Sequence, residues 1–239
     1  MTASDDSQHL RIVVVQDAAR LHYAVPISLQ RAGILDRVFT DWYTSKGSIE
    51  SAVTNALRLV NPARAARMAT RFAPELDASK VRSKPILIFS QFFGRRHFKH
   101  ETEYFSWMSD LVAQWVLDKG LGDCNGLFGF VRNIFPGLCS TAKHMGLKVI
   151  NDQTIAPFAV EHAEAIKQRE KFPGWLPNRP MFNDRLLSDF ERGTWESSDL
   201  ITCASDYVQQ GLVSQGVSEK KVVVLPYPVD AGRIDAIDR

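Results

Sequence analysis

Polar side chains that could bind a hydroxylated or anionic ligand follow several short apolar runs of the sequence. Each run is immediately followed by carboxylate, amide, hydroxyl or guanidinium groups. The carboxyl ends of parallel strands gather at one sheet edge, where α/β domains bind their ligands, so we expect these groups to line one open cleft. The candidate substrate-binding residues are Asp17, Arg20, Arg132, Asn133, Asp152, Gln153 and Ser205.

The residue types indicate two kinds of recognition. The carboxylate of Asp152 and the amide of Gln153 could hydrogen-bond sugar hydroxyls or steady an acceptor; the alternative is a solvated turn with local caps. Arg20 and Arg132 could each meet a phosphate or a lipid-linked acceptor; the alternative is a pair of ordinary surface arginines. No residue is assigned a catalytic role.

Metal binding is not predicted. His97 and His100 have helix-compatible ligand spacing beside Glu101 and Glu103, but they have no distant partner in the sequence. The three cysteines are odd in number and widely spaced, which is typical of buried thiols rather than of disulfides or a zinc site.

The elements that must position these residues alternate between strand and helix. Short apolar runs predict strands, and proline and glycine residues bound the helices between them. This alternation predicts an α/β fold, a Rossmann-like doubly wound parallel sheet flanked by helices. The predicted strands cover residues 11–16, 37–42, 126–131, 147–150, 200–204 and 222–225.

Residues 49–119 are expected to be mainly helical, because their apolar residues follow a helical period without strand-like alternation. Within them, residues 85–89 could form a strand or a buried helical turn, and we favour the helix.

Residues 154–183 form a long excursion rich in proline, tryptophan and charge, and a helix is expected over about 185–197. Glu161 and His162 in this excursion either face the cleft or belong to a surface helix.

The C-terminal part of the sequence carries a recognisable pattern. It opens with W-E-S-S-D-L-I-T-C-A-S-D-Y-V at Trp195 and closes with V-x-V-L-P-Y-P-V-D at Asp230. This stretch resembles the closing segment of the N-terminal domain in family 4 glycosyltransferases, which have the two-domain GT-B fold. The A-x-x-x-G-L-K-V motif from Ala142 and Phe172-Pro173-Gly174-Trp175 resemble further parts of that domain.

The resemblance implies an acceptor-side domain, the N-terminal half of a GT-B fold. We expect a flexible N-terminus at 1–10, the domain itself at 11–228 and the start of an interdomain linker at 229–239. In the family, the C-terminal domain supplies most of the nucleotide-sugar site. We expect this chain to lack that donor domain, to hold no cofactor and to be inactive alone, whether it is a fragment, a split subunit or a truncated frame.

The chain also departs from the family pattern. Residues 16–20 read Gln-Asp-Ala-Ala-Arg where the family has Gly-Gly, residues 151–153 read Asn-Asp-Gln where many members have His, and Pro228 replaces Gly.

Two function classes therefore compete. The first is a glycosyltransferase that acts on a glycan or lipid-linked acceptor and could require a partner chain with the donor domain. The second is a non-catalytic Rossmann-like module that binds a glycan or a partner, such as a subunit of a split transferase. An NAD-dependent oxidoreductase is disfavoured because no G-x-G-x-x-G follows the first strand.

Charge and hydropathy indicate which partners and which cellular compartment to expect. The 29 basic and 27 acidic residues nearly balance, so nucleic-acid binding is not expected. The sequence shows no signal peptide and no membrane-spanning run, and these absences favour the cytoplasm. Residues 57–72 combine arginines with apolar residues and no acidic residue, so they are either a solvated helix face or a peripheral contact with the inner membrane surface.

Overall fold

A computed structural model describes residues 10–87, 90, 97–175 and 184–227. Its centre is a seven-stranded sheet in which every strand pair is parallel, in the order β3-β2-β1-β4-β5-β6-β7. The strands are β1 Ile12–Val15, β2 Leu35–Thr40, β3 Val81–Ser83, β4 Gly126–Phe130, β5 Lys148–Gln153, β6 Leu200–Cys203 and β7 Val222–Val224.

Helices connect the strands. They are α1 Ala24–Arg31, α2 Ile49–Val60, α3 Pro62–Ala69, α4 Glu101–Lys119, α5 Pro136–His144, α6 Phe158–Lys171, α7 Asp184–Ser197 and α8 Asp206–Ser214. Pro136 occupies the first turn of α5, as its fixed φ favours. Gly146 and Gly216 adopt φ of +86° and +89° two residues after the ends of α5 and α8, a conformation that glycine takes without strain.

The two faces of the sheet carry separate hydrophobic cores. Val13 and Val15 of β1 pack in a cluster that includes side chains of α4 and α5, whereas Ile12 and Val14 pack in a second cluster on the α1 side. Because alternate residues of one strand are buried on opposite faces, the sheet is covered by helices on both sides. The predicted doubly wound, Rossmann-like α/β class is confirmed.

Residues 49–119 are mainly helical, as predicted, and they also contain the edge strand β3, whose three residues are too few to show an alternating pattern. The excursion at 154–183 contains the 14-residue helix α6. Ile86 and Leu87 are helical, as favoured, while Ile88 and Phe89 lie outside the described residues.

The expected flexible N-terminus and linker fall almost entirely outside the described residues. Over the described ranges, the helices are too short or too polar to cross a membrane. The three cysteines are free and buried, as predicted. In the same ranges, His, Cys, Asp and Glu side chains do not gather in groups of three or more that could hold a metal ion.

Candidate functional site

A cleft of about 250 Å³ opens at the carboxyl edge of the sheet. From β1 the chain winds outward through β2 to β3, and from β4 it winds the opposite way through to β7. The cleft lies where the loops after β1 and β4 diverge, which is the topological switch point at which doubly wound sheets bind ligands. Its walls come from the segments after β1, β4 and β5 and from α4 and α7.

The structure brings most of the predicted site residues to this cleft. The segments after β1, β4 and β5 converge there, as their positions at strand ends predict. The predicted residues that line it are Asp17, Arg20, Arg132, Asn133 and Gln153. Asp152 and Ser205 are not among the lining residues.

A polar bridge joins the two sides of the switch point. Arg20 donates from Nε to Asp17 Oδ1 at 3.1 Å and from Nη2 to Asn133 Oδ1, so one guanidinium links the loops after β1 and β4. Desolvation by the surrounding protein raises the pKa of the Asp17 carboxyl, and the positive charge of Arg20 lowers it by less. The Asp17 side chain is 43% exposed. Asp17 and Arg20 are therefore polar groups that remain accessible to a ligand.

The loop after β1 holds an unusual backbone conformation. Ala18, Leu21, His22 and Tyr23 all have positive φ, between 48° and 62°, which costs a non-glycine residue about 1 kcal/mol or more. Asp41 stabilises the loop by accepting from the Ala18 amide at 2.9 Å. The loop thus takes left-handed geometry at four positions without glycine.

Arg132 is not a free cation in the cleft. Its Nε donates to Glu191 Oε1 at 2.6 Å, and its Nη2 donates to Glu161 Oε2 at 2.6 Å and to the Ala156 carbonyl at 3.0 Å. These contacts tie the end of β4 to α6 and α7. Of the two alternatives for Arg132, the ordinary surface arginine is wrong, because the side chain is 19% exposed and paired with two carboxylates; contact with an anionic ligand stays a prediction. Glu161 reaches the cleft wall only through this ion pair.

His162 does not line the cleft. It stacks on Phe158 with ring centroids 5.5 Å apart and lies 3.7 Å from Asp184.

Asp152 lies inside β5 rather than after it, and its carboxylate is buried. Oδ1 accepts from Thr202 Oγ1 at 2.8 Å, and Oδ2 accepts from Tyr227 Oη at 3.0 Å and from Thr154 Oγ1 at 3.3 Å. Burial raises the pKa of Asp152 despite these hydrogen bonds. The expected solvated strand-end carboxylate is therefore a structural junction between β5, β6 and the segment after β7.

Gln153 ends β5, and its amide is also occupied. Oε1 accepts from Trp195 Nε1 at 2.8 Å, and Nε2 donates to the Ile155 carbonyl at 2.9 Å. The buried side chain thus shapes the cleft wall without offering an unpaired amide.

Ser205 caps α8, accepting from the Val208 amide at 3.4 Å, and belongs to the strand-end loop after β6. Its capping role follows directly from the sequence pattern.

Sequence reasoning missed the contribution of α4 to the cleft. Thr102, Phe105 and Ser106 from its first turns line one wall, and Phe105 is 45 % exposed there. Phe105 was not among the predicted site residues, because a helical period of apolar residues does not distinguish a core from the wall of a cleft.

No protein-family model and no curated protein matches the chain. Solved structures similar to it include a putative UDP-N-acetylglucosamine 2-epimerase from Listeria monocytogenes, with 6% identity, TM-score 0.43, and coverage of 90% of this chain and 44% of that one. S. aureus MnaA in complex with UDP has 12% identity, a TM-score of 0.42, and coverage of 93% and 47%. Phytolacca americana UGT2 complexed with UDP-2fluoro-glucose and pterostilbene has 10% identity, a TM-score of 0.46, and coverage of 90% and 52%. The chain spans about half the length of these structures.

Proposed function

We propose that this chain is the acceptor-side domain of a GT-B glycosyltransferase, which moves a sugar from a nucleotide-sugar donor to a hydroxyl of a glycan or lipid-linked acceptor. The observation that carries the proposal is the composition of the switch-point cleft. It combines the Asp17, Arg20 and Asn133 bridge with the exposed aromatic ring of Phe105.

This composition suits a sugar. Hydroxyl groups pair with carboxylate, amide and guanidinium groups, while the apolar face of a pyranose packs on an aromatic ring. Hydroxyl side chains from Thr102, Ser106 and Thr154 add further polar positions around the same space. The pattern at residues 195–230 supports the same assignment by its resemblance to family 4 glycosyltransferases.

A nucleotide diphosphate fits this wall less well. The loop after β1 lacks the glycines that let backbone amides approach a pyrophosphate, and it carries the Asp17 carboxylate instead. We therefore assign acceptor recognition to this cleft and place most of the donor site on a second domain, where stabilisation of the leaving diphosphate would occur.

The second candidate is a non-catalytic module that binds a glycan or a partner. It is favoured by the pairing of the polar cleft residues, since Arg132 and Gln153 are each bonded within the protein. Such pairing suits a rigid binding surface as well as it suits an acceptor site.

Ligand-observed NMR of the purified chain tests the proposal. The ligands are neutral oligosaccharides, short-chain polyprenyl-diphosphate sugars, UDP and NAD. We expect saturation transfer to a sugar-containing ligand, and Asp17→Asn and Phe105→Ala should weaken that binding about tenfold, equivalent to about 1.4 kcal/mol.

Two exposed residues away from the cleft provide matched controls. Asp118 lies near the opposite end of α4 from Phe105, and Tyr207 is an exposed aromatic residue on α8. Asp118→Asn and Tyr207→Ala should leave binding unchanged. Binding of UDP or NAD without any sugar ligand, or sugar binding that is insensitive to both cleft substitutions, would overturn the acceptor assignment.

Addition of a donor domain separates the two candidates. If the chain binds glycans, sugar transfer by a complex or fusion with a donor domain supports the transferase, and glycan binding without transfer supports the non-catalytic module.

A further inference from the structure

Helix α2 buries polar side chains and exposes most of its aliphatic ones, although Leu57 packs against the buried Trp42 and Met68. Its Glu50 and Thr54 side chains are buried, while Ile49, Leu59 and Val60 are exposed to 75%, 89% and 84%. Surface helices of globular proteins normally turn their apolar stripe to the core. The burial of a carboxylate in place of these aliphatic side chains indicates that the apolar face of α2 serves a contact outside the domain.

The exposed apolar residues form a continuous stripe. Ile49, Val53, Ala56 and Val60 recur every three or four residues, so they share one side of the helix. Leu59 and Val60 stand at the tip of the α2–α3 hairpin, where Asn61 ends one helix and caps the next. A contiguous exposed apolar surface of this kind marks an interaction site, whereas scattered exposed aliphatic residues do not.

Basic charge accompanies this stripe. Residues 51–74 contain four arginines and no acidic residue, and Arg58 and Arg67 are exposed on α2 and α3. An apolar helix face flanked by arginines complements an anionic bilayer surface, which takes up the aliphatic side chains and attracts the guanidinium groups. A second copy of the chain is a poorer occupant, since a two-fold contact through this face would bring arginines against arginines.

We propose that the α2–α3 hairpin docks on an anionic membrane surface, with Leu59 and Val60 inserted at the level of the headgroups. Glu50 accepts a hydrogen bond from Ser83 Oγ at the end of β3, which anchors the start of α2 at the carboxyl edge of the sheet, the edge that holds the cleft. The apolar stripe thus begins, at Ile49, next to the same edge of the sheet as the cleft. The proposal rests on the hairpin alone and does not depend on the proposed transferase function.

Sedimentation with vesicles tests the proposal on the full 239-residue chain. We expect binding to vesicles of phosphatidylcholine with phosphatidylglycerol, weaker binding as salt is raised, and little binding to phosphatidylcholine alone. The double substitution Leu59→Ser with Val60→Ser should lower the partition coefficient by about tenfold or more, and Arg58→Glu with Arg67→Glu should abolish the preference for anionic vesicles.

Exposed residues elsewhere provide the controls. Met145→Ser removes an exposed apolar side chain at the end of α5, and Lys220→Glu reverses an exposed charge before β7; both should leave vesicle binding unchanged. Circular dichroism melts should show that every variant is folded. Absence of vesicle binding, or equal binding to neutral and anionic vesicles, would overturn the proposal. So would self-association in sedimentation velocity that the Leu59 and Val60 substitutions remove, which would identify the hairpin as an interface between copies.

Discussion

At the residue scale, the polar groups next to the cleft divide into those that are accessible to a ligand and those that stabilise the cleft walls. Asp17 and Arg20 pair with each other and remain accessible. Arg132 and Asp152 instead bind groups from other elements of the domain. The same residue types at equivalent strand ends therefore have different roles, decided by the groups packed against them.

Arg132 should be a major contributor to stability. Arg132→Met leaves the buried Glu191 carboxylate without its cationic partner, and breaking a buried ion pair in this way costs about 3 kcal/mol. Urea unfolding of the wild type and of Arg132→Met measures the difference in their free energies of unfolding. Arg185→Met is the matched control, because that guanidinium is 94% exposed beside Asp189, and its loss should cost about 0.5 kcal/mol or less. Equal effects of the two substitutions would contradict the structural role of Arg132.

Asp152 should give the protein a pH-dependent stability that Asp152→Asn removes. Burial raises the pKa of Asp152 above the ordinary value of 3.8, so the native state binds more protons than the unfolded state between the two values. The contribution of this group to the free energy of unfolding therefore falls as pH rises from 3.8 through the raised pKa.

The measurement is the difference in free energy of unfolding between wild type and Asp152→Asn as a function of pH. The wild type should lose stability relative to the variant across that window. Parallel curves for Asp152→Asn would show that burial does not govern this carboxyl.

At the element scale, the cleft depends on close packing at the ends of β1, β4 and β5. The β1 loop holds left-handed residues without glycine, and Asp41 fixes it from the end of β2. In β4, Gly129 lets Ile134 and Asn151 approach the strand closely. A Cβ built at position 129 would lie 2.5 Å from Ile134 Cδ1 and 2.8 Å from Asn151 Oδ1.

Gly129→Ala should therefore destabilise the domain by about 2 kcal/mol, since overpacking a buried site displaces its neighbours. Denaturant unfolding of the wild type and the variant measures this change in the free energy of unfolding, and thermal unfolding checks its direction. Gly126→Ala in the same strand is the matched comparison, because its nearest contact would be 3.1 Å from Ile12 Cγ1, and we expect a smaller loss. A larger loss at 126 than at 129 would refute this account of β4 packing.

At the scale of the whole molecule, the sheet gathers its strand-end loops at one edge and leaves the cleft open there. The reversal of strand order between β1 and β4 creates the crevice, and helices α4 and α7 add its other walls. On the proposed function, this edge supplies one side of a catalytic site that two domains complete.

The 239-residue chain should accordingly transfer no sugar by itself. An acceptor wall positions one substrate but does not stabilise the charge on the leaving nucleotide. Such electrostatic stabilisation is usually the largest contribution to the rate enhancement. Release of nucleotide and formation of a glycosylated product are measured across a panel of nucleotide sugars and acceptors. Turnover by the purified chain would show that the donor site lies within these residues.

The amino-acid sequence by itself determined the order of the strands and helices and where most of them begin and end. Apolar runs, Pro136, Gly216 and the Ser205 cap act within a few neighbouring residues, so their patterns predicted the buried strands, most of the helices and the edge where the cleft lies. The three-residue strand β3 was not predicted, because it is too short to show an alternation of apolar and polar residues.

Only the tertiary structure decided which of the strand-end side chains are available to a ligand. Arg132 meets Glu191 across 59 positions of the chain, and Asp152 meets Tyr227 across 75. Partners so distant are brought together by packing of the whole sheet and its helices, and no local pattern encodes them. For the same reason the exposed apolar face of α2 became visible only once Glu50 and Thr54 were seen on its buried side.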